Sequence, residues 1–184
     1  QCTLVFPDHA PARYKVALKQ RTSRELQRKV ESGEPIAGTP QEAAEAMVAL
    51  LAHLNDHDRR TRGHSERVRA YSAVIADEMG LDPDSKLKLH WAALLHDVGK
   101  MSVRPEILNK NGRPSDDEWQ ELKRHPGAAA AYLMPLRPWL GHWLDAATQH
   151  HERWDGGGYP RGLSGQQISL SGRIVAVADA YDVM

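Results

Sequence analysis

The sequence predicts an all-α domain, and three observations carry that expectation. After residue 40, apolar residues recur every three or four positions through most of the chain. Prolines, glycines and capping residues mark where such segments start and stop. No strand-length alternation of β-branched residues interrupts the series, and no repeat of fixed period appears. At 184 residues the chain suits one domain plus flanking sequence, with enough length to bury a core.

Residues 1–40 differ from the rest. Pro7, Pro11, Pro35 and Pro40 bracket a basic stretch, Arg13 to Val30, with Leu18, Leu26 and Val30 at helical spacing. The thin apolar stripe reads as a linker helix from an upstream sensor or receiver domain, with a dimerising coiled coil as the alternative. The compact domain is expected over 41–184. Its first helix starts at Pro40 and turns Met47, Leu50, Leu51 and Leu54 to one face. A second runs from about Gly63 to Met79, with Val68, Tyr71, Val74 and Ile75 as its buried stripe and Gly80 as its stop. A third, Pro83 to Val98, buries Leu87, Trp91, Leu94, Leu95 and Val98. The fourth begins at Ser115, where Ser-Asp-Asp-Glu has capping-box spacing, and turns Trp119 and Leu122 inward until Pro126 kinks or ends it. A fifth covers about Trp139 to Glu152, and a sixth runs from about Ser171 to the end with Ile174, Val175 and Ala178 inward. Between these two lies a glycine-rich loop, Asp155 to Gly165.

Composition narrows the functional classes. A hydrophobic share of 41% and a charged share of 26% are near soluble globular averages. No run approaches the roughly 18 apolar residues of a membrane span, so no membrane contact is expected. Lys plus Arg equals Asp plus Glu at 24 each, which gives no global field for a nucleic acid polymer; an anion must be met by a local site. Cys2 alone cannot form an intrachain disulfide and no secretory leader is visible, so a cytoplasmic setting is expected.

Ten histidines are many for this length, and their placement points to chemistry. His64 opens the second helix on its inward face. His96 and Asp97 are adjacent at the end of the third, just before Gly99 and Lys100, where the glycine lets the backbone turn. His125 lies three residues after Leu122. His150 and His151 are adjacent at the end of the fifth helix, and Asp179 follows Val175 by four residues on the sixth. A single inward histidine is more often a hydrogen-bonded core residue than a ligand. Seven such groups turned toward one interior would each cost several kcal/mol without partners. A cluster of divalent iron, manganese, zinc or nickel satisfies them together, and Asp97 can bridge two ions. His9, His53, His57, His90 and His142 read as structural or solvated. Trp91, Trp119, Trp139 and Trp143 read as core anchors, and Trp154 stands apart in the loop after the histidine pair.

The segments GHSERV, HDVGK, His125-Pro126, HHERWDGGGYP and DAYDVM, in that order, resemble the HD-GYP family from about Asp58 to Met184. The resemblance implies an HD-type helical bundle of six or more helices. It also implies a metal-dependent phosphodiesterase that linearises cyclic di-GMP, sometimes continuing to GMP, as the output of a bacterial signalling protein. The family's metal ligands map onto His64, His96, Asp97, His125, His150, His151 and Asp179. Two divalent ions are expected, iron or manganese first. One would be held by His64, His96, Asp97 and Asp179 and the other by His125, His150 and His151, with Asp97 bridging. Asp97 and Lys100 are the expected catalytic residues, Lys100 by stabilising charge on the phosphate. Lys100, Arg67, Gly158 and Tyr159 are the expected substrate contacts, with a surface salt bridge as the alternative for Arg67. The glycines at 156, 157 and 158 can take positive φ and let backbone approach a ligand or a partner, such as a diguanylate cyclase (GGDEF) or adaptor protein. Family members with a third metal carry an acidic residue where this chain has Arg60, which favours two ions. The family's domain continues past DAYDVM, so a domain cut short at its C-terminal end is expected. Two rivals remain: a scaffold that binds partners through the GYP loop, and a related hydrolase acting on another nucleotide such as cyclic GMP-AMP.

Overall fold

The computed structural model describes residues 40–58 and 63–184, with side chains from 45 onward. The linker helix or coiled coil expected before residue 40, and Arg60, lie outside the described residues. Within them the chain is helical throughout, with no strand and a single isolated bridge between Asp155 and Ser164. The order is α1 (Pro40–His57), α2 (His64–Glu78), α3 (Pro83–Leu94), α4 (Pro105–Leu108), α5 (Asp116–Leu122), α6 (His125–Leu133), α7 (Arg137–Leu140), α8 (Asp145–Gln149) and α9 (Leu170–Asp182). A 3₁₀ turn, Val98–Ser102, follows α3.

Two large apolar clusters form the core, and a small third one, Val103, Ile107 and Leu108, packs against Leu122 of α5. Met47 and Leu50 of α1 pack with Leu95, Val98, Ala129, Leu133, Leu136, Leu140 and Ala147. Val68 and Ala76 of α2 pack with Ala92, Ala93, Trp143, Ala146, Ile174, Val175 and Ala178. The chain passes from the second cluster at Ala93 to the first at Leu95, so His96 and Asp97 fall at the junction of the two. Both are fully buried there.

Several elements depart from the expected pattern, each for a local reason. The buried stripe of α2 is Ser65, Val68, Ser72 and Ala76, and Val74 is exposed. Small residues at i, i+3 and i+4 spacing let α2 approach α3 and α9 closely, a role that hydrophobicity alone does not reveal. Asp82 caps α3 by accepting from the N–H groups of Asp84 and Ser85. That helix stops at Leu94 rather than Val98, and Leu87 is half exposed. The reason for Gly99 is close approach: a Cβ there would fall 1.9 Å from the His125 carbonyl oxygen and 2.8 Å from Ala129 N. Ser115 and Glu118 form the expected capping box of α5, but Trp119 is exposed and no residue of that helix is buried. Pro126 does not end the segment, which already stops at Leu122; it stands in the first turn of a new helix, α6, where its fixed φ is favourable. The expected fifth helix is broken at Gly141, whose φ of 56° lies in the left-handed region, so α7 and α8 are separate. Ser169 caps α9, whose inward residues are Ile174, Val175 and Ala178 as expected.

Candidate metal centre

Helix ends deliver the polar groups. His64 is the first residue of α2, and Gly63 before it, at φ 85°, lets the chain turn into the helix. His96 and Asp97 occupy the turn between α3 and the 3₁₀ segment that carries Lys100. His125 opens α6, His150 caps the C-terminus of α8 with His151 next, and Asp179 lies in the last turns of α9.

Asp97 is the hub. Its Oδ2 lies 2.7 Å from Lys100 Nζ, 3.4 Å from His96 Nε2 and 3.9 Å from His64 Nε2. Its Oδ1 faces the other way, 3.5 Å from His125 Nε2 and 3.8 Å from His150 Nε2. Donor atoms of His64, His96 and Asp97 all lie within 4.8 Å of one another, and so do those of His125, His150 and His151. Asp179 joins the first group through a 3.1 Å contact with His64 Nε2.

Protonation follows from the hydrogen bonds. His96 Nδ1 donates to Ala93 O at 2.7 Å, His125 Nδ1 to Leu122 O at 2.7 Å, and His150 Nδ1 to Ala146 O at 3.1 Å. A carbonyl only accepts, so each ring carries its proton on Nδ1 and turns an Nε2 lone pair inward. Burial pushes His150 well below the ordinary imidazole range, reinforced by His151, and burial with His125 brings His151 down to about 4. Burial also lowers His125 against the pull of Asp97. Neutral rings then leave two lone pairs facing each other 3.3 Å apart, His125 Nε2 and His150 Nε2. His96 Nε2 is buried without any hydrogen-bond partner. Burial would raise Asp97, yet the Lys100 ammonium 2.7 Å away outweighs it and holds the carboxyl well below its usual range. Unpartnered nitrogen lone pairs around an ionised carboxylate are the donor set of a divalent transition-metal ion, so these residues fit one.

Other positions have a different setting. Arg67 forks onto Asp182, Nε to Oδ1 at 2.6 Å and Nη2 to Oδ2 at 2.9 Å, while still lining the cavity beside the cluster. Gly158 and Tyr159 do not line that cavity. The Tyr159 ring stacks on His151 at 4.8 Å, and its backbone N–H donates to His151 O. A Cβ on Gly158 would fall 2.3 Å from Arg153 N, so this glycine permits the loop to fold onto its own base. Of the three adjacent glycines only Gly156 takes positive φ.

Three functional positions escaped the sequence. Buried Glu152 accepts from the N–H groups of Arg161 at 2.7 Å and Leu163 at 2.9 Å, which ties down the loop. Asp58, also buried, reaches within 3.8 Å of Lys100 Nζ and lines the cavity; no pattern at the end of α1 marks it. Asp182 accepts from His64 Nδ1 at 2.7 Å. Its spacing of three from Asp179 was the available signal, since such a pair shares a helix face.

The cavity measures about 550 Å³ and opens over His64, Asp97, Lys100, His151 and Asp179, with Lys110 and Leu122 on its far wall. Its walls carry four carboxylates, Asp58, Asp97, Asp179 and Asp182, against three cationic side chains, Arg67, Lys100 and Lys110.

A helical bundle that converges imidazoles and carboxylates from helix ends onto one buried carboxylate defines a helical domain able to hold divalent metal. The chain belongs to the HD domain family, which matches residues 48–184. It is 42% identical over 140 residues to a cyclic di-GMP phosphodiesterase of Thermotoga maritima, covering 75% of this chain and 38% of that protein. It is 40% identical over 124 residues to a 3'3'-cGAMP-specific phosphodiesterase of Vibrio cholerae, covering 67% and 27%. A cyclic di-GMP phosphodiesterase of Pseudomonas aeruginosa is 40% identical over 134 residues, covering 73% and 32%. The chain thus spans about a third of the length of these relatives. No helix among the described residues is long and apolar enough to cross a membrane.

Proposed function

We propose that this domain hydrolyses a phosphodiester bond of a cyclic dinucleotide, cyclic di-GMP in the first instance, to the linear dinucleotide, with two divalent ions at the Asp97 cluster. The observation that carries it is the orientation of Asp97. Its two oxygens face two separate groups of inward lone pairs, one from His64 and His96 and one from His125 and His150. One ion would be held by His64, His96, Asp97 and Asp179 and the other by His125, His150 and His151, with Asp97 shared. Bound ions of this kind supply Lewis-acid neutralisation of the phosphate and lower the pKa of an attacking water. They also add positive charge to a cavity wall whose carboxylates and cationic side chains are nearly balanced. Lys100 is positioned to assist: Asp97 outweighs its burial and keeps the ammonium charged at the edge of the cavity, where it can stabilise charge developing on a phosphate oxygen. Iron and manganese suit the mixed imidazole and carboxylate set.

The similarity to 3'3'-cGAMP-specific relatives supports a second reading of the substrate, in which cyclic GMP-AMP is the preferred dinucleotide. A turnover panel separates the two. Anaerobically purified protein, supplied with manganese or ferrous iron, is given each cyclic dinucleotide and the products are resolved by chromatography. Linear product from cyclic di-GMP supports the first reading, and product from cyclic GMP-AMP alone supports the second. Turnover of neither, with metals bound, favours a scaffold whose GYP loop docks a diguanylate cyclase or adaptor. An upstream sensor or receiver domain, a domain boundary near residue 40 and a cytoplasmic setting belong to the same proposal.

A further inference from the structure

Three imidazoles of the cluster are aimed by carbonyls of their own turns, at Ala93, Leu122 and Ala146. His64 is not. It opens α2, and the left-handed Gly63 before it leaves no helical turn to offer a carbonyl. Its Nδ1 instead meets Asp182 Oδ2 at 2.7 Å, from a residue 118 positions later in the sequence. The same helix, α9, therefore sets one carboxylate at each ring nitrogen of His64: Asp182 at Nδ1 and, 3.1 Å from Nε2, Asp179. Arg67, one turn after His64, grips Asp182 through both carboxylate oxygens. The Asp182 side chain is only 3% exposed whereas that of Arg67 is 56% exposed. An exposed ion pair by itself contributes little. A buried carboxylate shared between a guanidinium and an inward imidazole does something else: it accepts a hydrogen bond from the Nδ1–H and leaves Nε2 to face Asp97 and Asp179.

We propose that Asp182, held by Arg67, is a positioning residue for the half of the centre that contains His64, fixing the tautomer and aim of that ring without itself touching metal or phosphate. The proposal rests on the reading of His64 as a metal ligand. It gives Arg67 a task that is complete before any substrate arrives. Outer partners of ligating imidazoles typically affect metal affinity about 10–100-fold when removed.

The test uses the full chain and two readouts. Manganese titration of metal-free protein follows the two sites. Nitrogen-15 spectra of labelled histidine, recorded with chelator at a pH where imidazoles are neutral, report the His64 tautomer. In Asp182→Ala, one manganese site should weaken by about 10–100-fold while the other stays unchanged, and His64 should lose its single Nδ1–H tautomer. Asp182→Asn, whose side-chain oxygen can still accept from Nδ1, should recover most of the affinity, and Arg67→Ala should give a smaller loss at the same site. Equal weakening of both sites, or an unchanged affinity and tautomer in Asp182→Ala, would overturn the proposal. Should wild-type protein take up no manganese, the metal reading fails and the tautomer still decides: loss of the single form on changing Asp182 sustains the positioning role, and no change removes it. If Asp182→Ala does not fold, Asp182→Asn and Arg67→Ala carry the same comparison.

Discussion

Asp97 touches both groups of imidazoles and Lys100, so its replacement should be felt more widely than any other. Asp97→Asn keeps the volume but removes the charge that two half-sites share; metal content by elemental analysis should fall to near zero and turnover with it. Lys100→Ala leaves the donor set intact, so metal content should stay at the wild-type level while the rate drops about 10²–10³-fold, the effect of removing one electrostatic contact to the transition state. An Asp97→Asn protein that kept its metals would remove Asp97 from the shared position. At this scale the sequence was informative where residue type and chain position coincide: His64, His96, Asp97, His125, His150, His151 and Asp179 all sit at or near helix ends and converge. For Asp58 it was uninformative and for Asp182 it offered only the spacing from Asp179, because their partners, Lys100 and His64, lie far away in sequence. Glu152 serves amides only 9 and 11 residues on, but through a loop whose turn no helical or strand pattern marks.

Helices with their own start signals were legible, and those created by packing were not. The capping box at Ser115 and the proline at position 83 fixed the starts of α5 and α3. α6 went unseen because Pro126 reads as a terminator, although proline is equally at home in a helix's first turn. Two substitutions separate these kinds of element. Ser115→Ala removes a side-chain cap from a fully surface helix, so denaturant unfolding should show a loss of about 1 kcal/mol with metal content unchanged. Gly99→Ala places a methyl group against the backbone of α6 at His125, where no side chain can swing away. About 1–3 kcal/mol of stability should be lost there, and metal content should fall as well, because His125 must move with its helix. Equal metal content in both variants would separate α6 packing from the centre.

The whole domain should respond to acid in a defined direction when its metals are removed. His125, His150 and His151 are held neutral below their ordinary 6.5 by burial. In the unfolded chain they regain the ordinary value, so between about 6.5 and the His151 value of about 4 the unfolded state binds more protons. Stability in that window rises with pH and is lost as pH falls. His64 is shifted the other way, raised by Asp179 and Asp182, and its contribution is already complete below 6.5. Thermal unfolding of chelated protein should therefore show Tm decreasing steadily from pH 7 toward pH 4.5, and a flat profile would mean the three rings are charged in the folded state.

The carbonyl tethers of His96, His125 and His150 have one more consequence. Ala93 and Leu122 lie in the last turns of α3 and α5, where carbonyls run short of partners further along the helix, whereas Ala146, near the start of α8, also accepts from the His150 N–H. The cluster therefore stands beside the C-terminal ends of α3 and α5, which carry partial negative charge, and the N-terminal ends of α2 and α6, which carry partial positive charge. The main chain thus brings partial charges of both signs to the cluster, and the pull on a cation comes from its carboxylates and imidazoles. Replacing His96 or His125 with alanine would remove a proposed ligand and, in the same step, the imidazole N–H that serves a carbonyl at a helix end.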